Sequence, residues 1–497
     1  MKRVFYRALT VFLLSIIAGA LAAQPAASQD PYLVLVGTRK LESFDAEFHI
    51  GLVAEDSDPE IAAENTEKLN DALDAMWPAG VFTFAHGAPG PVLLPISFAA
   101  KEFYFAGELK TATRNGGALI GGGGFGYPLG SGEFGASFPL NTGGAITRFT
   151  RIDSDESAGG ALLRLRGAGF RIDRIQFNGQ PLPGNIHSGT GELNQYGILL
   201  EGRDSPPTGK HVIGQIGITG CSKAIAFLAG YDDEGGFVST ETHADQSHWQ
   251  DVFVHGCRTA VWSNNQQAVW HHFGKLVVGA TANVEPETIL DVERGGLWKI
   301  DMLAVGPFPT TVLRVKDFSP NASRFDIHIF RDGAPGIAID SIVNDLGEPI
   351  EVTCHEPHGL SNGNQAAIER VSAAANGTRT VTVLSSTVLR LDGTSGTGTG
   401  SYNGGGLLKR KQRLTLFEFA GNDPQPWKDW DVRFSGSIAT EDDAIAMDQG
   451  DIAILNSAPG ALPTEKMWFD INNLEHANLP NGYKWEVVGA WRRLVPE

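Results

Sequence analysis

A short apolar pattern recurs along residues 161–341, and it constrains the fold more than any other feature of the sequence. Each copy has an apolar residue, two residues of any type, a second apolar residue, one residue of any type and a third apolar residue. Its middle residues are 41, 36, 24, 24 and 27 positions apart, and they are Ile175, Ile216, Val252, Leu276, Ile300 and Ile327. A second short apolar run follows each of the last five copies after a stretch of turn-forming residues. Two β-runs per repeat, punctuated by Gly, Pro, Asn and Asp, are typical of a solenoid of strands.

We interpret the repeat as an all-β chain that forms a right-handed parallel β-helix, with a third, poorly marked strand in each coil. A single coil cannot bury its inward face, so stacked coils must make the core together. A β-sandwich or jelly roll also contains many short strands and stays an alternative. Neither of these folds explains why the same spacing between apolar patterns recurs along the chain. The 24-residue coils are too short for propeller blades.

The first 23 residues have the pattern of a secretory signal peptide. A basic start, with Lys2, Arg3 and Arg7, precedes an apolar run over residues 11–21 and a small-residue cleavage site. This run is shorter than a membrane span, so we expect a secreted protein, extracellular or periplasmic, without membrane insertion.

The net charge limits the partners. It is -18 for the whole chain of 497 residues, and removal of the three basic leader residues leaves 36 basic and 57 acidic residues, or -21. Such a chain should repel nucleic acid and anionic membranes. A polyanionic substrate such as pectate would need a metal ion or a basic cleft. We expect a polysaccharide or cell-surface glycan as the partner, and the sequence leaves monomer and trimer open.

A helix is predicted immediately before the solenoid. Asp58 is a good N-cap and Pro59 suits the first helical position. Apolar residues then recur on one face to about Trp77. Because the open end of a β-helix exposes strand edges and core, we expect this helix to cap it.

Five segments together resemble the start of the β-helices of the pectate-lyase superfamily. They are Asn65-Thr-Glu-Lys-Leu69-Asn-Asp-Ala72-Leu73, Val92-Leu-Leu-Pro95, Phe103-Tyr-Phe105, Gly116 to Gly124, and Phe170-Arg-Ile-Asp-Arg-Ile-Gln-Phe-Asn-Gly179. The resemblance implies a parallel β-helix and a role in carbohydrate chemistry. Two departures limit it: Pro95 is followed by Ile-Ser-Phe where the family usually has glycine and tyrosine, and the set of motifs typical of polygalacturonases is missing after Asp232-Asp233.

A second module is predicted inside the solenoid. The stretch from Glu351 to Gly406 alternates short β-runs with tight turns, and His358-Gly-Leu360 and Asn376-Gly377 are its markers. It resembles the small β-barrel insert found in ubiquitin-activating enzymes, in phage tail proteins and in secreted bacterial surface proteins. We interpret it as a spacer or a binding appendage.

The predicted organisation has six parts. They are a signal peptide (1–23), an N-terminal segment (24–57), a β-helix with its capping helix (58–348), the inserted barrel (349–408), a continuation of the β-helix (409–457) and a C-terminal cap (458–497).

Two loops leave the solenoid where the repeat is longest, and such insertions often build the binding face. The catalytic candidates are Asp232, Asp233 and Glu234 as acid and base, and Arg203 and Lys210 as bases beside a uronate. The substrate-binding candidates are Trp262, Trp270, His187 and Glu192. The metal candidates are His243, Asp245 and His248, with Ca²⁺ as a cofactor at clustered carboxylates. Solvated turn residues remain the alternative for these charged positions.

Two of the three cysteines, Cys221 and Cys257, follow the middle residues of successive copies by five positions. They should therefore stack one coil apart, which is compatible with a disulfide or with a ladder of buried thiols.

Two classes of function are consistent with the sequence. One is a secreted polysaccharide lyase or glycoside hydrolase. The other is a noncatalytic surface, adhesive or phage-tail-like protein that binds glycans, with the β-helix as a stalk. Fold resemblance alone does not decide between them.

Overall fold

The structure is a computed structural model. It describes residues 34–36, 39–41, 43–75, 95–111, 116–123, 146–153, 160–179, 194–202, 208–231, 237–239, 242–280, 284–306, 308, 310–316, 324–331, 336–355, 358, 360, 362–371, 374–398, 402, 404–410, 414–421, 431–438, 452–457, 466–471, 474 and 477–497.

The described residues are mostly β-strand, and the N-terminal part also contains two helices. These are a π-helix (Ala46–Ile50) and helix α1 (Pro59–Ala75). The strands of this part are β1 (Val34–Val36), β2 (Arg39–Leu41), β3 (Phe44–Asp45), β4 (Ile96–Ser97), β5 (Glu102–Phe105), β6 (Leu109–Lys110), β7 (Ala118–Ile120), β8 (Thr147–Arg151), β9 (Ala161–Leu165), β10 (Arg171–Asp173) and β11 (Ile175–Asn178).

The repeat region forms the middle of the chain. Its strands are β12 (Asn194–Glu201), β13 (Thr208–Gly209), β14 (Val212–Thr219), β15 (Cys221–Leu228), β16 (Gly230–Tyr231), β17 (Phe237–Ser239), β18 (Ala244–Asp245), β19 (His248–His255), β20 (Thr259–Val269), β21 (His272–Gly279), β22 (Thr288–Gly296), β23 (Trp298–Val305), β24 (Thr310–Val315) and β25 (Arg324–Arg331).

The remaining strands belong to the insert and to the C-terminal part. They are β26 (Ile337–Val343), β27 (Glu351–Cys354), β28 (Gln365–Glu369), β29 (Gly377–Val383), β30 (Val388–Leu391), β31 (Leu407–Arg410), β32 (Leu414–Phe419), β33 (Asp431–Ile438), β34 (Ile452–Asn456), β35 (Met467–Ile471), β36 (Tyr483–Val488) and β37 (Trp491–Pro496).

Two parallel sheets organise the chain outside the insert. The long sheet has 16 strands and the main order β3-β4-β7-β10-β14-β19-β21-β23-β25-β33-β35-β37-β36, with β5, β8 and β11 beside this path. The short sheet has nine strands in the order β34-β32-β24-β22-β20-β15-β12-β9-β6. From β14 to β25 the main strands go alternately to the long and the short sheet, so each pair of strands adds one layer to both.

The core lies between the sheets, where equivalent side chains of successive layers stack. Ile175 is paired with Ile216, Ile216 with Val252, and Val252 with Leu276, and all four are fully buried. Parallel strands in register bring identical positions about 4.8 Å apart, so an apolar repeat in the sequence becomes a continuous apolar ladder.

The predicted register of the fifth copy was wrong by three residues. Leu276 pairs with Leu303, not with Ile300, and Ile300 pairs with Phe273. The segment satisfies the apolar pattern in both alignments, but Met302, which the sequence alignment placed in the core, is 37% exposed. In the next strand pair, β23 with β25, the register itself shifts between Ile300 and Leu303.

The insert is a closed barrel with the order β26-β27-β30-β29-β28-β31. Its first strand is Ile337–Val343, so the barrel begins before the predicted boundary at residue 349, and the apolar run at Ile337 belongs to it instead of to the repeat. The parallel pairs β24 with β32 and β25 with β33 join the layers on either side of the insertion. The barrel therefore interrupts the chain without interrupting the two sheets.

Parallel pairing continues beyond the barrel to β35, and an antiparallel hairpin of β36 and β37 ends the long sheet. Cys221, Cys257 and Cys354 are free thiols and are all buried. Burial raises the pKa of the Cys221 thiol, and the neighbouring Cys257 raises it further. The two cysteines thus form the thiol ladder, one of the two arrangements expected from the sequence.

Candidate functional site

Half of the predicted site residues lie in the described part of the chain. Asp232, Asp233, Glu234, Arg203, His187 and Glu192 lie outside the described residues. Lys210, Trp262, Trp270, His243, Asp245 and His248 are described. His248 lies on a strand of the long sheet and Trp262 on a strand of the short sheet, whereas Lys210, His243, Asp245 and Trp270 lie in or beside the turns between strands.

The first surface, which we name the histidine face, lies on the outside of the long sheet where β19, β21 and β23 begin. Nδ1 of His248 is 3.1 Å from Nδ1 of His272. Nε2 of His272 is 2.6 Å from Oδ2 of Asp301, and Nζ of Lys299 is 2.6 Å from Oδ1 of the same carboxylate. The histidine face thus consists of a chain of four polar side chains contributed by three neighbouring strands.

Charge on the histidine face is set by Asp301. Burial raises the pKa of Asp301, but hydrogen bonds from Lys299 and His272 lower it more, so the net shift is downwards. The hydrogen bond to Asp301 raises the pKa of Lys299. An ionised carboxylate at Nε2 of His272 favours a proton on that nitrogen, which leaves Nδ1 able to accept a hydrogen bond from His248.

Trp270 is a large apolar residue that comes shortly before His272 in the sequence. It is 58% exposed and lies in the turn that connects β20 to β21. Its φ of +57° is shared with the equivalent turn residues Lys210 (+54°), Gln246 (+57°) and Leu297 (+59°). This left-handed conformation is uncommon outside glycine, and it costs of order 1–2 kcal/mol per residue. Trp270 precedes His272, the first residue of β21, by two positions.

The predicted metal triad is not brought together. His243 and Asp245 are close, with Nδ1 and Oδ2 3.7 Å apart, but His248 begins β19 and its ring contacts His272. The spacing of the three residues does not bring them together because a turn separates Asp245 from the strand that carries His248. Among the described residues there is no group of three His, Cys, Asp or Glu side chains that could hold a metal ion.

Lys210 contributes its backbone to the stacking of turns. Its amide donates to the carbonyl of Asp245 at 2.8 Å, and its side chain is exposed. Burial raises the pKa of Asp245, while His243 and Lys210 oppose this shift. The part of the chain that the structure describes shows no hydrogen bond from the Lys210 ammonium, so its predicted role as a base is neither supported nor contradicted.

The second surface, which we name the tryptophan face, lies on the outside of the short sheet. Trp262 is only 6% exposed, and Nζ of Lys223 is 3.7 Å from the centre of its ring. The ring of Tyr196 lies 5.4 Å from the same ammonium and 6.1 Å from the ring of Trp262. Burial lowers the pKa of Lys223, and Glu293 and Asp291 partly offset the shift. Trp262 was predicted to stack on a sugar, but the ring face towards Lys223 is already occupied by a cation.

Two carboxylates of β22 complete the tryptophan face, and the sequence analysis missed both. Burial raises the pKa of Asp291, although Lys316 and Arg314 oppose it. Glu293 accepts hydrogen bonds from Nζ of Lys316 at 2.7 Å and from Nε1 of Trp262 at 3.4 Å. Asp291 and Glu293 are separated by one position. Polar residues have this spacing on any half-exposed face of a strand, so the sequence pattern does not mark a site.

A further groove lies at the C-terminal end of the chain. It has a volume of about 580 Å³. It is lined by Ile454, Leu455, Asn456, Asn478, Leu479, Pro480, Asn481 and Tyr483. Its lining includes amide and phenol groups but no carboxylate or imidazole.

Searches of protein families, of curated proteins and of solved structures found no match to this chain. In the described part of the chain, neither helix has the length and apolar character that crossing a lipid bilayer requires. The interpretation of the site therefore depends on its own geometry.

Proposed function

We propose that the chain forms a right-handed parallel β-helix of the pectate-lyase type. The alternation of strands between two parallel sheets, with one layer added to each sheet per repeat, supports this fold. Helix α1 packs beside the first strands at the N-terminal end, where the resemblance places a cap. The leader pattern in residues 1–23 supports export from the cytoplasm.

We further propose that the protein binds a glycan on the histidine face. The exposed indole of Trp270, two residues before His272, carries this proposal together with the row of polar side chains that includes His272. Pyranose rings present an apolar face that packs on an aromatic ring, and their hydroxyl groups exchange hydrogen bonds with imidazole, carboxylate and ammonium groups. A surface that repeats with each layer also suits a polymer whose units repeat.

The shape of the histidine face is suited to an extended ligand. Gly274 lies between His272 and the next outward position of β21, and a Cβ atom there would be 2.9 Å from the carbonyl of Gln250. This close approach of the neighbouring backbone requires glycine, so no side chain projects from β21 at this position. A strip without a side chain next to the polar groups can accommodate an extended sugar chain.

The test is binding of the mature chain to neutral and acidic polysaccharides, with and without Ca²⁺, on a glycan array and then by calorimetry. We expect Trp270→Ala to weaken binding roughly 2- to 12-fold, because one stacked ring contributes about 0.5–1.5 kcal/mol. Phe48→Ala is the matched control, since Phe48 is an exposed aromatic residue (84%) at the N-terminal end. Equal loss in both variants, or none in Trp270→Ala, would contradict the proposal.

Glycoside hydrolysis at the tryptophan face is a second candidate function. Asp291 has a raised pKa, whereas Glu293 is held by a cation and an indole N–H. Hydrolases use one protonated and one ionised carboxyl group, with the two groups roughly 5–9.5 Å apart. Positions i and i+2 of a strand point to the same face of the sheet, so Asp291 and Glu293 are neighbours on the tryptophan face.

This second function predicts release of reducing ends from a polysaccharide. We expect Asp291→Asn and Glu293→Gln to abolish the release and Asp326→Asn, a change at an exposed carboxylate of β25, to preserve it. Release of an unsaturated uronate, detected by its ultraviolet absorbance, would instead indicate a lyase. Glycan binding without either product would leave a noncatalytic surface or adhesive protein, with the barrel as a further recognition element.

A further inference from the structure

Three buried polar residues occupy equivalent positions in three successive layers. His211, Ser247 and His271 each follow a residue with positive φ and precede the first residue of a long-sheet strand. Each has 1% of its surface exposed. The amide of His248 donates to the carbonyl of His211 at 2.9 Å, and the amide of His272 donates to that of Ser247 at 3.1 Å. The three side chains are therefore stacked, about 4.8 Å apart from one layer to the next.

The protonation state of His211 follows from its one hydrogen bond. The amide of Phe170 donates to Nδ1 of His211 at 3.2 Å, so Nδ1 is an acceptor. Burial lowers the pKa of His211 to about 3, and the ring is therefore neutral at ordinary pH. A neutral imidazole with an accepting Nδ1 has its proton on Nε2. That Nε2–H group is buried and has no hydrogen-bond acceptor among the described residues.

The other two residues also have buried polar atoms that lack a hydrogen-bond partner among the described residues. Oγ of Ser247 and both ring nitrogens of His271 are buried without a hydrogen-bond partner in the described part of the chain. The carbonyl of Ala244 lies near the His271 ring and favours its protonated form, but the contact does not have hydrogen-bond geometry.

Packing fixes the orientation of the His271 ring. It stacks on Phe227, with ring centres 4.1 Å apart and planes at 25°, and meets Trp298 edge-on at 5.9 Å. The imidazole is therefore held between aromatic rings and has little freedom to turn towards a partner elsewhere.

We propose that Nε2 of His211, Oγ of Ser247 and the imidazole of His271 bind ordered water, with one molecule in each of the two gaps between successive layers. A buried polar group without a partner costs roughly 1–3 kcal/mol, so four such atoms at one place are unfavourable unless something bonds to them. A water with two hydrogen bonds of about 2.8 Å spans the ~4.8 Å between layers, and it can both donate and accept.

The donor set selects water over a metal ion. A metal ligand must offer a lone pair, and Nε2 of His211 carries a hydrogen because its Nδ1 is already an acceptor. Only His271 among the three has an imidazole lone pair free of this constraint. The site provides imidazole N–H donors in the outer two layers and a hydroxyl in the middle one, and a water molecule in each gap can bond to both of its neighbours.

The first test is a crystal structure of the mature chain at neutral pH and at a resolution that shows ordered solvent. We expect solvent density within hydrogen-bond distance of at least two of His211 Nε2, Ser247 Oγ and the His271 nitrogens. Direct hydrogen bonds among these side chains without intervening density would overturn the proposal. Nitrogen chemical shifts of ¹⁵N-histidine should in addition show the proton of His211 on Nε2, and a proton on Nδ1 would contradict it.

The second test asks whether removal of the Ser247 hydroxyl lowers or raises the melting temperature. Ser247→Ala is compared with Ser263→Ala, since Ser263 is equally buried but donates directly to the carbonyl of Arg294 at 2.7 Å. If water bonds to Ser247, both substitutions remove a satisfied hydroxyl and both lower the melting temperature by a similar amount. If the hydroxyl of Ser247 has no partner, alanine removes a penalty, and an unchanged or raised melting temperature would refute the proposal.

Discussion

Three consecutive residues, Trp270, His271 and His272, have three different environments. The first is mostly exposed, the second is 1% exposed, and the third lies on the outer face against Asp301. The positive φ of Trp270 reverses the direction of the chain, so the next residue points into the core and the one after it points out. Sequence alone indicates a boundary between layers here. It does not indicate which histidine is inside, because both are polar and adjacent.

The buried histidines predict a stability that depends on pH. Burial lowers the pKa of both His211 and His271 to about 3, from an ordinary value of 6.5. Below pH 6.5 the unfolded chain binds protons that the folded chain excludes. The stabilisation is therefore complete above pH 6.5 and is lost as the pH falls towards 3. Each histidine should lower the free energy of unfolding by up to about 1.4 kcal/mol per pH unit in this window.

His271→Phe tests this at the level of one residue. The variant lacks the titrating ring, so its loss of unfolding free energy between pH 7 and pH 5 should be about 2 kcal/mol smaller than that of the parent chain. Denaturant unfolding followed by tryptophan fluorescence gives the two values. His328→Ala, which removes an exposed histidine of β25, is the control for the loss of an imidazole. The same slope in all three proteins would show that His271 does not titrate in this way.

At the scale of elements, helix α1 shows how a sequence motif acts physically. The side chain of Asn65 is fully buried: its amide donates to the carbonyls of Val53 and Tyr104 at 2.8 and 3.1 Å, and its oxygen accepts from the amide of Val53 at 2.9 Å. Thr66 accepts from the amide of Ala106 at 3.0 Å. These bonds satisfy backbone groups at the open end of the sheets, which would otherwise be unpaired.

We expect Asn65→Ala to lower the free energy of unfolding by about 3 kcal/mol or more, because it leaves buried backbone groups of two segments without partners. Chemical denaturation of the mature chain measures the loss. Asp71→Ala, at an exposed position of the same helix, is the control and should change stability by less than about 0.5 kcal/mol. A cost for Asn65→Ala no larger than for the control would mean that the helix does not depend on this docking contact.

The helix and the strands were predictable because their signals are local. The Asp58-Pro59 start of α1 and the apolar pattern of β14, β19 and β21 agree with the structure. The register of β23 was not predictable, since Ile300 and Leu303 both satisfy the pattern and a local shift decides between them. β26 was assigned to the repeat because Ile337-Ala-Ile339 has the same composition as a second β-run. Only its antiparallel partner β27 reveals that it belongs to the barrel.

The candidate sites show the same limit. Trp270 and His248 could be selected from the sequence because indole and imidazole groups are chemically distinctive. Asp301 could not, since its role depends on which strand lies beside His272. Asp291 was likewise missed, because burial of a single strand carboxylate depends on neighbours that are distant in the chain.

At the scale of the whole molecule, the barrel and the two sheets are built as separate cores. The barrel has its own cluster of buried residues, which shares no member with the main core. Pairing of β24 with β32 and of β25 with β33 uses no barrel strand. Parallel pairing between layers that are adjacent in space, but about 100 residues apart in sequence, has a high loop-closure cost. The barrel occupies most of that loop.

Removal of the barrel tests this independence. We expect a chain in which residues 337–410 are replaced by a short Gly/Ser linker to keep a cooperative thermal transition, because the shorter loop lowers the closure entropy and no main-core residue is lost. The isolated segment 336–411 should fold by itself, since a closed barrel leaves no strand edge unpaired and has its own core. Circular dichroism and calorimetry of both products, compared with the full chain, are the measurements.

If the chain without the barrel aggregates while the isolated barrel folds, the barrel stabilises the sheets through contacts beyond strand pairing. Two independent transitions that sum to the profile of the full chain would establish that the barrel can be exchanged without redesigning the coils.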